Sequence, residues 1–516
     1  CHWEGETMKR RWIIGLALAV SCLWIAGGAA AAPKGKLVLG LSAAPPTLDP
    51  HPITGFPLHN VYPLMFDFLV FRDHDGKIIP HLAKSWRMVE PKVWEFKLRE
   101  GMKFTNGEPV DAHAVKFSLE RIVDPKLKSR QWGMFRSIHH VEVVDRYTAR
   151  VHTKYPDTFL ISMLTNYGAI VPPKYYKSHS RKHLARNPVG SGPYRLVKWK
   201  KGERLVFEAN PNYWKPGVPR IKTGIIRIIP EPTTRVSALV AGDVDAINNV
   251  PPQLVSMVKA NPKYRLVTGP SGRTCSVIMI VKPGAPWYDA RVRKALNYAV
   301  DKKAILRHVL RGNGRIISTN VGPNSYGSDP ALKPYPYDPA RAKKLLAEAG
   351  YPNGFDVDFI VPLGRYIMGK ETAEAISGQL EKVGVRAKVS PLEWGAYNRR
   401  SRVRWKEGVK AFWTYSCRMD MYLHAEFMYA GQIISRSSRG GFRDKAVDKI
   451  INDARSETDD AKRLRKYQKI NRLIYEKYVP LIFLYQTDQI HAKNKRIDWK
   501  PRPNETVLLF DLGWKD

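Results

Sequence analysis

The residues best equipped for chemistry in this chain are guanidiniums, hydroxyls and aromatic rings, and they do not form a catalytic set. There is no Gly-x-Ser-x-Gly elbow, no His-Glu-x-x-His, no phosphate-binding glycine loop and no Cys-x-x-Cys. His179 and His183 stand at helical i,i+4 spacing, which could grip a metal, but Arg181, Lys182 and Arg186 beside them oppose a cation, so no metal site is expected. Carboxylates are frequent, and no spacing singles out an acid/base pair. The densest run of binding chemistry is 412–420, FWTYSCRMD. There Trp413 and Tyr415 read either as core strand residues or as rings against a solute. Ser416, Arg418 and Asp420 offer a hydroxyl, a planar cation and a carboxylate. Arg273 is either a second cation facing a solute or one half of an ion pair between domains. Trp394 and Tyr397 either stack on a ligand or pack a helix. A buried guanidinium grips a planar carboxylate through two hydrogen bonds, so Arg273 and Arg418 favour an anionic ligand.

These side chains need elements to hold them, and the sequence supplies both kinds. Strand signals dominate the first half. A short aliphatic run at 36–41 is broken by the proline-rich 45–50, and Trp94, Phe96 and Leu98 alternate with polar partners at the period of a half-buried strand. Helical spacing appears after Asp111, through Val115, Leu119 and Ile122. The second half is richer in helices. Asp289 precedes Val292, Leu296 and Ala299 on one face, and Asp338-Pro339 opens a helix that Gly350 closes. Ala373, Ile376, Leu380 and Val383 form another face, as do Leu464, Tyr467, Asn471 and Ile474. Strands at 355–361 and 385–389 lie between them. The alternation predicts an α/β architecture with mixed sheets.

Length and charge bound the rest. A chain of 516 residues exceeds what one core usually supports, so several domains are expected. Residues 8–31 read as an export signal, with Lys9, Arg10 and Arg11 before an uncharged apolar core at 12–26 and small residues after it. That core is shorter than the ~20 residues a spanning helix needs, and cleavage is expected after Ala30 or Ala31. Ser21-Cys22 makes a poor lipoprotein box, so Cys22 is read as signal core, and Cys1–Thr7 are read as preceding the natural start at Met8. The formal net charge of +38 is spread through the chain, densest at Arg399, Arg400, Arg402 and Arg404, with no basic tail. Nucleic acid is therefore not the expected partner; anionic surfaces or an anionic ligand are. Beyond the leader only Cys275 and Cys417 remain. Two separate buried thiols are expected, with pairing the outcome if the fold brings their strands together.

The order of the motifs carries a resemblance. TLDP at 47–50, LAKSW at 82–86, WEFKLREGMKFTNGEPV at 94–110, GSGPY at 190–194, NPNYW at 210–214, GDVD at 242–245 and VRKALNYAVD at 292–301 follow one another through the chain. In kind and order this resembles the family 5 extracytoplasmic solute-binding proteins, the oligopeptide, dipeptide, nickel and opine receptors of ABC importers. The resemblance implies an α/β, type II periplasmic-binding-protein-like fold of two lobes with mixed sheets and a hinge, plus an extra α+β domain. By analogy lobe I comprises 32–66, 187–270 and 484–516, the extra domain 67–186, and lobe II 271–483. It implies a periplasmic monomer that delivers a peptide-like or anionic solute to a membrane permease, with no cofactor. In peptide-binding members a similar strand end carries an aspartate three residues after the tryptophan, which pairs with the peptide ammonium. Here that position is Ser416, and a serine cannot supply a charge-assisted bond. An acidic ligand such as an opine, an acidic peptide or a carboxylated chelate is therefore expected at Arg273, Trp394, Tyr397, Trp413, Tyr415, Ser416, Arg418 and Asp420. A ligand sensor or envelope chaperone on the same scaffold is the alternative, and an enzyme is disfavoured.

Overall fold

The computed structural model describes residues 32–363, 365–402, 405–433 and 441–515. The segment read as an export signal, 8–31, and, in the basic cluster, Val403 and Arg404 lie outside the described residues. The organising feature is one long mixed sheet. Its strands run in the order Val385–Leu392, Phe355–Pro362, Trp413–Met419, Tyr264–Met279, Leu481–Asn494, Ala246–Ile247, Lys34–Leu41, Ile221–Ile228, Arg204–Ala209 and Tyr194–Lys200, with Arg315–Ile316 paired to Leu481–Asn494 on the side. The two longest strands are Tyr264–Met279 and Leu481–Asn494, antiparallel to each other. Their register shifts between Pro270 and Thr274, and there the sheet passes from one body to the next.

Hydrophobic packing falls into three clusters among the described residues. One core gathers Cys275, Trp413, Tyr415 and Tyr485 with the helices Ala290–Ala299 and Gly369–Glu381. A second core runs continuously from Leu37 and Leu39 into Phe96, Val115 and Leu119, so the N-terminal lobe and the extra antiparallel sheet share one interior. That extra sheet has the order Ala83–Glu90, Val93–Leu98, Thr148–Thr153, Ile138–Asp145, and helix Ala112–Val123 lies over it with Val115, Leu119 and Ile122 fully buried.

Local signals explain where the elements begin. Asp289 Oδ1 accepts from the Arg291 backbone N–H at 2.7 Å, and Asp338 Oδ1 from that of Arg341 at 2.9 Å, so each satisfies a donor that the first helical turn leaves open. Asp111 and Asp444 do the same for their helices. The GSGPY turn shows why its first residue is glycine. A Cβ on Gly190 would lie 2.1 Å from the Met65 carbonyl oxygen, so only a hydrogen lets the returning chain pack onto that segment. The cysteine expectation is overturned: Cys275 and Cys417 form a disulfide, because antiparallel pairing of Thr274–Met279 with the Trp413–Arg418 stretch sets them directly opposite.

Candidate functional site

The two long strands place four polar side chains in one row. Arg418 pairs with Thr274, Thr274 with Gln486, and Gln486 with Arg315, across four neighbouring strands. Residues opposite one another share a face of the sheet. The row therefore forms a polar stripe just past the register shift of the two long strands, on the side of the Trp413–Met419 strand. Ser276 and Ser416, paired with each other two residues further on, extend the same face.

A loop and a helix roof this stripe. Thr274 Oγ1 donates to the Asn320 carbonyl at 3.0 Å, Asn320 Nδ2 donates to Gln432 Oε1 at 3.0 Å, and Arg315 Nε donates to Gln486 Oε1 at 2.7 Å. The roof is close: a Cβ on Gly322 would stand 2.5 Å from Gln486 Nε2. Ser276, Asn320, Gln432 and Gln486 are all at most 2 % exposed. Yet, among the described residues, Ser276 Oγ, Asn320 Oδ1, Gln432 Nε2, Gln486 Nε2 and Arg315 Nη2 have no hydrogen-bond partner. A buried polar atom left unpaired costs about 1–3 kcal/mol, so four groups able to donate and one amide oxygen gathered along this face call for an explanation. The set is rich in donors and holds one guanidinium. Its complement is an oxygen-rich, anionic group.

The other face of the Trp413–Met419 strand is core. Trp413 is fully buried and meets Trp287, Phe355 and Phe359 edge-on, so it is a packing residue and not a ligand platform. Tyr415 is equally buried, its hydroxyl against that of Tyr485. Of the sequence candidates on this strand only Ser416 and Arg418 share the polar stripe. Arg418 already donates from Nη2 to the Phe427 carbonyl at 3.1 Å, with its guanidinium 4.1 Å above the Phe427 ring. Arg273 resolves as an ion pair: Nε and Nη2 donate to Glu505 Oε1 and Oε2 at 3.1 and 2.7 Å, tying the crossing strand to the C-terminal segment. Burial opposes the charge on Arg273, but Glu505 more than offsets it and holds the guanidinium above its ordinary pKa. Tyr397 is buried and bonds Thr414 Oγ1 at 2.7 Å, and the Trp394 ring stacks on it, so this pair packs its helix onto the sheet. Asp420 is fully buried. Its oxygens accept from Ser325 Oγ at 2.6 Å and from the His424 and Tyr422 backbone N–H groups at 2.8 and 3.2 Å, shaping the turn that follows. Burial pushes its carboxyl up to about 6.

The lobes meet along a surface no sequence motif marked. Arg455, at the end of helix Lys445–Ser456, donates from Nε and Nη2 to Asp157 Oδ1 and Oδ2 at 3.0 and 2.7 Å, and its carbonyl accepts from Thr158 Oγ1 at 2.8 Å. Asn166 Nδ2 donates to the Met421 carbonyl at 3.1 Å, and Phe159 and Tyr167 pack on Tyr422. Arg72, buried nearby, is pushed down to about 10 by desolvation, with Asp420 acting the other way. A cavity of about 10 Å³, ringed by His59, Arg72, Asn166, Arg502, Asn504 and Thr506 among others, lies in the N-terminal body near this surface. Among the described residues no group of three or more His, Cys, Asp or Glu side chains could hold a metal ion, and no helix is long and apolar enough to cross a membrane.

Two bodies joined by paired crossing strands, with a polar stripe where those strands enter one of them, define a two-lobed solute-binding protein. The sequence profile of bacterial extracellular solute-binding proteins, family 5 Middle, matches residues 77–429, and the chain belongs to that family. It is 28 % identical to a glutathione-binding protein of Pectobacterium atrosepticum, covering 98 % of each chain, and 31 % identical to heme-binding protein A of Haemophilus influenzae over 78 % of each. The solved structure of HbpA2 from Haemophilus parasuis superposes with a TM-score of 0.80 at 25 % identity, covering 93 % of this chain and 100 % of that one. The fold is that of the type II periplasmic binding proteins.

Proposed function

We propose that this chain is the periplasmic receptor of an ABC importer, a monomer that captures a carboxylate-bearing solute and presents it to the membrane permease without chemical conversion. The reading rests on one observation: the buried donors of Ser276, Gln432, Gln486 and Arg315 at the mouth of lobe II, unpartnered among the described residues. A carboxylate would accept from the guanidinium and the amides together, with Ser416 and Arg418 at the edge of the stripe. The relatives named for glutathione and heme support this class, since both molecules carry two carboxylates. Solute held against the crossing strands would favour the closed arrangement, because only there do the bodies share it. The hinge lies at Pro270–Thr274 and near Gln486, dividing lobe I at 32–66, 187–270 and 484–516 from lobe II at 271–483, with the extra domain at 67–186.

Calorimetric titration tests it. Glutathione and a neutral dipeptide are offered to the wild type and to Arg315→Gln and Gln486→Leu. The acidic solute is expected to bind and each substitution to weaken it by about 1.5–3 kcal/mol, the range for hydrogen bonds to charged groups. Tight binding of the neutral dipeptide, unchanged by either substitution, would reject the carboxylate reading.

A further inference from the structure

Among the described residues, the last strand of the long sheet, Tyr194–Lys200, pairs with one strand, Arg204–Ala209, so its outer edge carries no further strand. A groove of about 660 Å³ runs beside it, lined by the consecutive residues Leu196, Val197, Lys198 and Trp199. A bulge between Leu196 and Lys198 leaves Val197 unpaired and turns the strand locally, and the groove takes in all four residues on this outermost strand, facing the 185–189 segment across it. Its rim carries Lys182, Arg186, Lys198 and Lys201 and no acidic residue. Among the described residues none of these cations forms an ion pair, whereas Arg195 and Lys200 on the same strand are answered by Glu208 and Glu203. Val197 is 53 % exposed, and Leu196 and Trp199 are half-buried beside it.

We propose that this edge is a docking site for an extended, acidic segment of a partner protein, which adds a strand to the sheet and sets its carboxylates among the four cations. Backbone donors and acceptors of the open edge supply the affinity, and the cations select the sign of the partner. A second copy of this chain is excluded by the same charge, since its own edge is cationic. The concave groove fits a single chain segment better than a flat bilayer surface. The site lies where lobe I adjoins the extra domain, away from the lobe II stripe, and is independent of solute identity.

The test uses the full exported chain and a dye-labelled peptide alternating Glu and Val, read by fluorescence anisotropy at low ionic strength. Binding is expected, and Lys198→Glu with Lys201→Glu should weaken it by at least about tenfold while leaving solute binding unchanged. A peptide N-methylated on alternate amides, which keeps its charge but cannot complete a ladder, should lose binding. Equal binding of the methylated peptide, indifference to the charge reversal, no peptide binding at all, or binding to phosphatidylglycerol vesicles instead of the peptide would each overturn the proposal.

Discussion

Replacing Asp157 by alanine should open the molecule. Asp157 has no exposed surface, and Arg455 is 8 % exposed, so their two hydrogen bonds lie out of water between the extra domain and lobe II. Removing the carboxylate leaves the guanidinium buried, with Glu426 Oε1 at 3.6 Å as its remaining carboxylate neighbour. Breaking a buried pair in this way costs about 3–5 kcal/mol, because one charge stays desolvated. The chain has an escape that a core residue lacks: if the bodies separate, Arg455 regains water. The penalty therefore falls on the closed form alone, and at about 1.4 kcal/mol per decade it lowers the closed-to-open ratio by roughly two to three and a half orders of magnitude. Small-angle scattering should show a larger radius of gyration for Asp157→Ala than for the wild type, and solute affinity should fall in proportion to the lost closed population. Removing both partners, as Asp157→Ala with Arg455→Met, should recover most of the closure, since an apolar pair of similar volume is close to neutral. An unchanged radius and affinity in a folded Asp157→Ala protein would show that this pair does not hold the lobes together.

Three further outcomes follow from the geometry. The Cys275–Cys417 bond closes a sequence separation of 142 residues, so Cys275→Ala with Cys417→Ala should lower unfolding stability by up to about 5 kcal/mol in the chain-entropy limit, measured by urea denaturation; a midpoint equal to wild type would refute it. Asp420, with its pKa raised from 3.8 to about 6 by burial, binds its proton more tightly folded than unfolded, so stability should decline as pH rises from about 4 to about 6 and level off above. Its contribution is on the order of 3 kcal/mol at most, and Asp420→Asn should flatten that slope in thermal unfolding across the window; an identical pH profile would show the carboxyl is not the source. Gly190→Ala would press a methyl to 2.1 Å from the Met65 carbonyl and should cost about 3 kcal/mol or more, seen as a lowered denaturation midpoint, whereas Gly107→Ala, with nothing within 4 Å but φ +88°, should cost only its left-handed backbone strain.

Much of the scaffold was legible in the sequence, because the signals concerned act over a few residues. Asp289 and Asp338 cap helices where an acid precedes helical spacing, and Ala373, Ile376 and Leu380 bury the face their period describes. The succession of motifs was enough to place the chain in its family. The same local reading named Trp413 and Tyr415 as possible ligand aromatics, and it could not see that strand alternation turns both into the core, leaving Ser416 and Arg418 on the opposite face. Tertiary structure alone decided the rest. Arg315 meets Gln486 across 171 positions, Arg273 meets Glu505 across 232, and Arg455 meets Asp157 across 298. The disulfide belongs to the same group. Each depends on the register of strands from distant parts of the chain, where a slip of one residue would send every side chain to the other face. No local pattern encodes that register, since it is selected by the burial of whole faces at once.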